Sequence, residues 1–448
     1  MQTKKSFKYW QWRVIICSMI GYSMFYFVRK NFSFAMPVLG AEYGISDTSF
    51  GLILTIAGLV YGVSKFVNGF IADRANARWH LVIALTACVI LNALFGWSPM
   101  LSRMISGSAE GPDFVGTLVT ITAVFLILNN LFQGAGFGPC NRLLVHWIPP
   151  KELATKMSLW NVSHSVGAGI VAVVCGALVA SPTPGSWRWC FWVPAIVSGL
   201  GVVFIYFTLR DTPSSVGLPE LENTKTEIDD DDSPAQYRRF VMKKVFMNPI
   251  VWLLAVSDML LYVVRFAVLD WGPKFLQQGD NPLSPTLAGW TIGIFEVFGC
   301  VGMLLAGVIT DKVFKGKGQR MCLIEMLLTA VCLLAIHFLP DGTSPVIMLL
   351  LLAMAGFFLY GPQALYCVVS GKQVTKKAAS AAAGLIGLFC YFSVFFTGYG
   401  IGALSDAFGQ GFWNNLFLIM TGVSVLSAAV LIPIWNIKDD GYVHDGQE

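Results

Sequence analysis

The sequence predicts an all-α membrane protein with twelve transmembrane helices arranged as two pseudo-symmetric six-helix bundles. Three observations predict it. Hydrophobic residues make up 55% of the 448 positions and charged ones only 12%, against roughly 25% charged in an average soluble domain. Apolar stretches long enough to cross a bilayer, about 20 residues each, recur along nearly the whole chain. The second half also repeats features of the first at a nearly constant offset.

The predicted spans, in order, are 14–38, 50–71, 81–97, 115–137, 158–179, 191–209, 251–270, 287–309, 321–338, 346–369, 381–404 and 412–435. They are read as helices because backbone exposed to lipid must satisfy its own hydrogen bonds. Lys4, Lys5, Lys8 and Arg13 lead into a first apolar stretch too long for a signal-peptide core, so it is expected to stay as an anchor. The ten cysteines, among them Cys17, Cys88, Cys175, Cys300 and Cys390, form no CxxC pair, so neither a disulfide framework nor a metal site is indicated. Of 30 lysines and arginines, only Arg103, Arg188 and Lys274 fall in odd-numbered loops and four fall inside spans. The rest lie at the termini and in even-numbered loops, which places both termini in the cytoplasm and the protein in the inner membrane. With a net charge of +4, nothing points to nucleic acid.

The longest polar stretch, 210–248, separates six spans from six and reads as a flexible cytoplasmic linker, giving bundles at 1–209 and 249–448. A cassette repeats across it. Gly69 precedes Asp73 and Arg74, with Arg78 following; Gly307 precedes Asp311 and Lys312, 238 positions on. The cassette resembles the cytoplasmic loop signature of the major facilitator family. There the glycine permits close helix approach and the acid pairs with basic groups in a conformational latch, so Asp73, Arg74, Arg78, Asp311 and Lys312 are the expected gating residues.

The four in-span cations are Arg29, Lys30, Lys65 and Arg265. A charge at the bilayer centre costs roughly 2.5–3.5 kcal/mol even on the lenient insertion scale, so each needs a partner or a wet cavity. Arg265 follows Arg29 by 236 positions, and the local strings match: Tyr26-Phe27-Val28-Arg29 against Tyr262-Val263-Val264-Arg265. Two arginines are thus expected to face each other at equivalent depth. One reading pairs each with a buried acid, Asp258, Asp270 or Glu296. The other follows from the lack of any acid in the first span: a missing counter-charge implies an anionic ligand, and the guanidinium fork suits a tetrahedral oxyanion. His164 in the fifth span, and Tyr22, Tyr26, Tyr61, Tyr360 and Tyr391 at similar depth, complete the expected cavity.

At these residues the chain resembles the organophosphate:phosphate antiporter family of the major facilitator superfamily. The resemblance is carried by Gly21 to Phe32, Tyr61 to Phe66, Trp160 to His164, Tyr262 to Arg265, Asp270 to Pro273 and Tyr360 to Pro362. It implies that Arg29 and Arg265 bind phosphate, that His164 assists, and that Lys65, Tyr262, Asn161 and Glu296 belong to the site or its gate. Some hexose-phosphate carriers of the family have an acid and a lysine in the eleventh helix, where this chain has Ala383 and Ile386. The preferred organophosphate is left open.

The expected activity is import of a hexose-6-phosphate or glycerol-3-phosphate in exchange for inorganic phosphate by alternating access, in a monomer that needs no cofactor. No GxxxxGK[ST] loop is present to bind ATP, and no catalytic triad or metal cluster assembles from the five histidines, so an enzyme is not expected. Two alternatives remain: a transporter-like hexose-phosphate sensor signalling to a membrane kinase, and a proton-coupled symporter using Glu296 and Asp258.

Overall fold

The computed structural model describes residues 2–181, 183–221, 234–278, 281–374 and 379–437. Side chains at 2–5, 70, 73, 74, 150, 151, 153–155, 158, 234, 235, 237, 379 and 380 lie outside the description. The helices are α1 (Gln2–Phe27), α2 (Phe32–Tyr43), α3 (Asp47–Arg74), α4 (Ala77–Gly96), α5 (Ser98–Ser106), α6 (Pro112–Gln133), α7 (Phe137–Trp147), α8 (Pro150–Val179) and α9 (Trp189–Thr208) in the first half. After the short α10 (Pro234–Val241) come α11 (Pro249–Gln278), α12 (Pro285–Lys312), α13 (Gly318–His337), α14 (Pro345–Gln373), α15 (Ala379–Val394), α16 (Ile401–Phe408) and α17 (Gln410–Leu431). Among the described residues eleven segments are long and apolar enough to span a bilayer; the first predicted span makes the twelfth.

That first span is not the continuous helix the sequence predicts. It breaks at 28–31, between α1 and α2, with no proline or glycine at the break. A break at membrane depth strands backbone carbonyls that must find donors inside the protein. They find amides from neighbouring spans: Val28 O accepts from Asn92 Nδ2 at 3.0 Å and Asn129 Nδ2 at 2.8 Å, and Phe25 O from Gln133 Nε2 at 2.9 Å. Asn31 bonds Asn92 and the Cys190 carbonyl, both at 2.8 Å. This buried network fixes the kink on which Arg29 and Lys30 stand. The equivalent helix of the second half, α11, runs unbroken.

Two other spans depart from the prediction. The fourth runs from 112 to 147, not 115 to 137, bending at 134–136 between α6 and α7. At its polar end Arg142 pairs with Asp211 at 3.4 Å. The eleventh holds a π-helical turn, Phe395–Gly400, between α15 and α16. The stretch expected to be a flexible linker also carries structure. Asp211 accepts from Ala77 N at 2.8 Å, Trp147 Nε1 donates to Arg210 O at 3.3 Å, and a 3-10 turn forms at Pro213–Val216. Its acidic run, Asp229 to Asp232, lies outside the described residues.

The halves pack on each other along α8 and α12, where small residues let backbones approach. A Cβ at Gly289 would lie 2.6 Å from the Ala172 carbonyl oxygen, and one at Gly176 would lie 2.8 Å from that of Pro285. They also meet where α3 begins. Asp406 on α16 accepts from the backbone N–H groups of Asp47 at 3.0 Å and Thr48 at 2.7 Å, satisfying orphan donors of the α3 N-terminus from across the interface. Asp47 itself pairs with Lys274 of α11 and accepts from Ser405. Thr55 donates to Val394 O at 3.0 Å and accepts from Tyr399 N at 2.9 Å.

Candidate functional site

Between the halves lies a cavity of about 140 Å³. Ten of the twelve residues expected to bind substrate line it: Tyr22, Tyr26 and Arg29 from the first span, Tyr61 and Lys65 from α3, Asn161 and His164 from α8, Tyr262 and Arg265 from α11, and Tyr391 from α15. Glu296 and Tyr360 stand behind Arg265 and outside the lining. Lys30, Phe137, Phe266, Leu269 and Gln363 also line the cavity. Of these the sequence marks Lys30 as an in-span cation and leaves the other four unmarked.

Each arginine is flanked by aromatic rings. The Arg29 guanidinium carbon lies 3.7 Å from the Tyr61 ring centroid and 5.6 Å from that of Tyr26. Arg265 lies 4.7 Å from Tyr360 and 5.7 Å from Tyr262. Cation–π contacts of this kind are worth about 0.5–2 kcal/mol, too little to replace a counter-ion for a desolvated charge. The Lys65 ammonium sits 4.8 Å from the Phe137 ring centroid, and Tyr61 meets Tyr391 across the halves at 5.3 Å.

The counter-charges divide unevenly. Lys30 pairs with Asp270 of the opposite half at 2.5 Å. Arg265 has Glu296 at 3.8 Å, a carboxylate that is fully buried and has no hydrogen-bond donor among the described residues. Arg29 and Lys65 have no carboxylate within 4.0 Å among the described residues. The expectation of two symmetric, uncompensated arginines is thereby corrected. The buried-acid reading holds for Arg265, and the unmatched cations are Arg29 and Lys65, both in the first half.

His164 is oriented by its own helix. Its Nδ1 bonds the Asn161 carbonyl oxygen, which can only accept, so Nδ1 carries the proton. In the neutral ring Nε2 is therefore an acceptor, and only the imidazolium donates there. Tyr26 packs against the ring at 5.6 Å.

Asp311 and Lys312 are exposed and form no ion pair among the described residues. Arg78 lies 5.4 Å from the Trp79 ring and 5.3 Å from that of Tyr206, while the side chains of Asp73 and Arg74 lie outside the described ones. At Gly69 α3 comes close to α7, where a Cβ on Gly138 would lie 3.4 Å from the Gly69 Cα, whereas a Cβ added at Gly69 or Gly307 itself meets no described atom within 4 Å.

A profile described as Major Facilitator Superfamily matches residues 18–398. The chain belongs to that superfamily. It is a major facilitator transporter and not an enzyme, as the sequence predicts. Among its relatives are a probable hexose phosphate transport protein of Chlamydia pneumoniae, 32% identical over 97% of this chain and 93% of the relative, and the glycerol-3-phosphate transporter of Bacillus subtilis, 33% identical over 95% and 92%. The membrane sensor protein UhpC of Escherichia coli is 32% identical over 96% and 94%. The fold matches the crystal structure of a D-xylose-proton symporter with a TM-score of 0.71, covering 96% of this chain and 99% of that one at 15% identity. This facilitator therefore has the twelve-helix architecture expected of it, with a cation-rich cavity between its halves.

Proposed function

We propose that this facilitator imports an organophosphate in exchange for inorganic phosphate. The observation that carries the reading is the charge of the cavity: among the described residues Arg29, Lys30, Lys65 and Arg265 have only Asp270 and Glu296 as carboxylates within 4.0 Å, an excess of two positive charges in contact pairs that a phosphate dianion would cancel. Arg29 and Lys65 approach the anion from the first half and Arg265 from the second, so the loaded site ties the halves together. Relatives named for hexose phosphate and glycerol-3-phosphate transport support the substrate class. His164 as a neutral ring accepts at Nε2, where the P–OH of inorganic hydrogen phosphate, itself a dianion, can donate.

Exchange follows from electrostatics. Reorienting the empty site moves two uncompensated cations through a low-dielectric interior, whereas the loaded site is neutral, so only the loaded carrier crosses readily. The bonds at the start of α3 close that end, and the cation sidedness of the loops makes it the periplasmic one. The conformation is accordingly closed to the periplasm, with both termini in the cytoplasm, bundles at 1–209 and 249–448, and a monomer as the working unit. In proteoliposomes loaded with phosphate, labelled glycerol-3-phosphate or glucose-6-phosphate should enter, and a protonophore should not slow it. Uptake that needs no internal phosphate and collapses with the protonophore would replace exchange by symport. The similarity to a membrane sensor protein favours sensing as the second reading, and binding without any transport would establish it.

A further inference from the structure

Gln363 stands on α14 next to Pro362, three residues beyond Tyr360, whose ring lies 4.7 Å from the Arg265 guanidinium. It lines the cavity, half-buried, and its Oε1 is shut off from solvent with no hydrogen-bond partner. A carboxamide offers two donors and an acceptor oxygen, and its two ends exchange by a simple flip. Leaving such a group unmatched in a protein interior is costly. The amides of Asn31, Asn92, Asn129 and Gln133, by contrast, hold the break in the first span. Gln363 is unspent and faces the site.

Its chemistry, shared with Asn161 across the cavity, differs from that of the cations and rings around it. The cations answer a phosphate, and the phenol rings flank the cations. A neutral amide adds little for a dianion, but it can donate to and accept from a hydroxyl group at once. Its position gives a distance as well. Residues three apart on a helix stand about 5–6 Å apart at Cβ, so Gln363 lies roughly one helical turn along α14 from the Tyr360 platform of Arg265. That is where the organic part of an ester would extend from a phosphate held by Arg265.

We propose that Gln363 reads a hydroxyl of the organic moiety, making the cavity selective for polyol and sugar phosphates over alkyl phosphates of similar length. The proposal rests on the organophosphate reading above. Its test is competition against labelled phosphate exchange in proteoliposomes, with unlabelled phosphate, glucose-6-phosphate, glycerol-3-phosphate and n-propyl phosphate as competitors. In the wild type the hydroxylated esters should outcompete n-propyl phosphate. In Gln363→Leu the preference for hydroxylated esters relative to phosphate should fall about tenfold, the scale of one neutral hydrogen bond. The preference for n-propyl phosphate relative to phosphate should stay where it was. Gln363→Asn, which keeps the amide but withdraws it by one methylene, should fall between, and it carries the test if the leucine variant does not fold. Equal weakening of hydroxylated and alkyl esters, or no change in either ratio, overturns the proposal. Absence of phosphate exchange in the wild type would overturn the exchange reading instead. In that case the same four ligands titrated against purified protein by calorimetry decide the role of Gln363.

Discussion

Asp406→Ala tests whether the halves are latched at the start of α3. The carboxylate accepts from two backbone N–H groups, of Asp47 at 3.0 Å and Thr48 at 2.7 Å, across the interface. Hydrogen bonds to a charged group are worth about 1.5–3 kcal/mol when buried. Asp406 is exposed, so solvent screening reduces each to about 1 kcal/mol. The helix dipole acts in the same sense. The closed state should then lose about 2 kcal/mol, a shift of roughly 30-fold in the equilibrium between closed and open at that face. Spin labels at the exposed positions Glu110 and Asp341 report the separation across the face. The variant should populate a longer distance without ligand, while phosphate affinity measured in a matched state stays close to wild type. An unchanged distance distribution would refute the latch, leaving the α8 and α12 packing to hold the closed state alone.

Further outcomes follow from the same geometry. Glu296→Gln removes the carboxylate 3.8 Å from Arg265 and should tighten phosphate binding while slowing release, visible as a lower half-saturation with a lower maximal exchange rate. Asn129→Leu strips a 2.8 Å donor from the Val28 carbonyl and should cost about 1–3 kcal/mol of stability, read as a lower thermal midpoint, together with weaker phosphate binding because Arg29 is displaced. Gly289→Ala places a Cβ 2.6 Å from a backbone oxygen, which cannot move aside cheaply. It should drive the α8–α12 interface apart and favour the open state in the same distance measurement.

The fold was legible because bilayer physics writes itself into composition: spans must be apolar and about 20 residues long, and twelve of them recur. The cations were legible for the same reason, since Arg29, Lys65 and Arg265 are conspicuous in hydrocarbon. The break between α1 and α2 was hidden. No helix breaker stands at 28–31, and the amides that stabilise it, Asn92, Asn129 and Gln133, come from two other spans. The pairing of charges was hidden too. Lys30 and Asp270 are 240 positions apart and meet only because the halves close there, and Glu296 reaches Arg265 from a neighbouring helix. Gln363 had a faint signal, an amide beside a proline inside an apolar span, but its unspent state depends on which neighbours fail to reach it.

The central claim is that the uncompensated cations of the cavity hold a phosphate group. Titration of purified protein with inorganic phosphate by calorimetry tests it most directly, comparing the wild type with Arg29→Gln and Lys65→Gln at equal helix content by circular dichroism. Removing one unpaired charge from a desolvated dianion site should weaken binding by at least about 30-fold, corresponding to roughly 2 kcal/mol of a charge-assisted bond, and the Arg29 variant should suffer more because it also loses the bidentate fork. Wild-type affinity for phosphate in both variants would contradict the account.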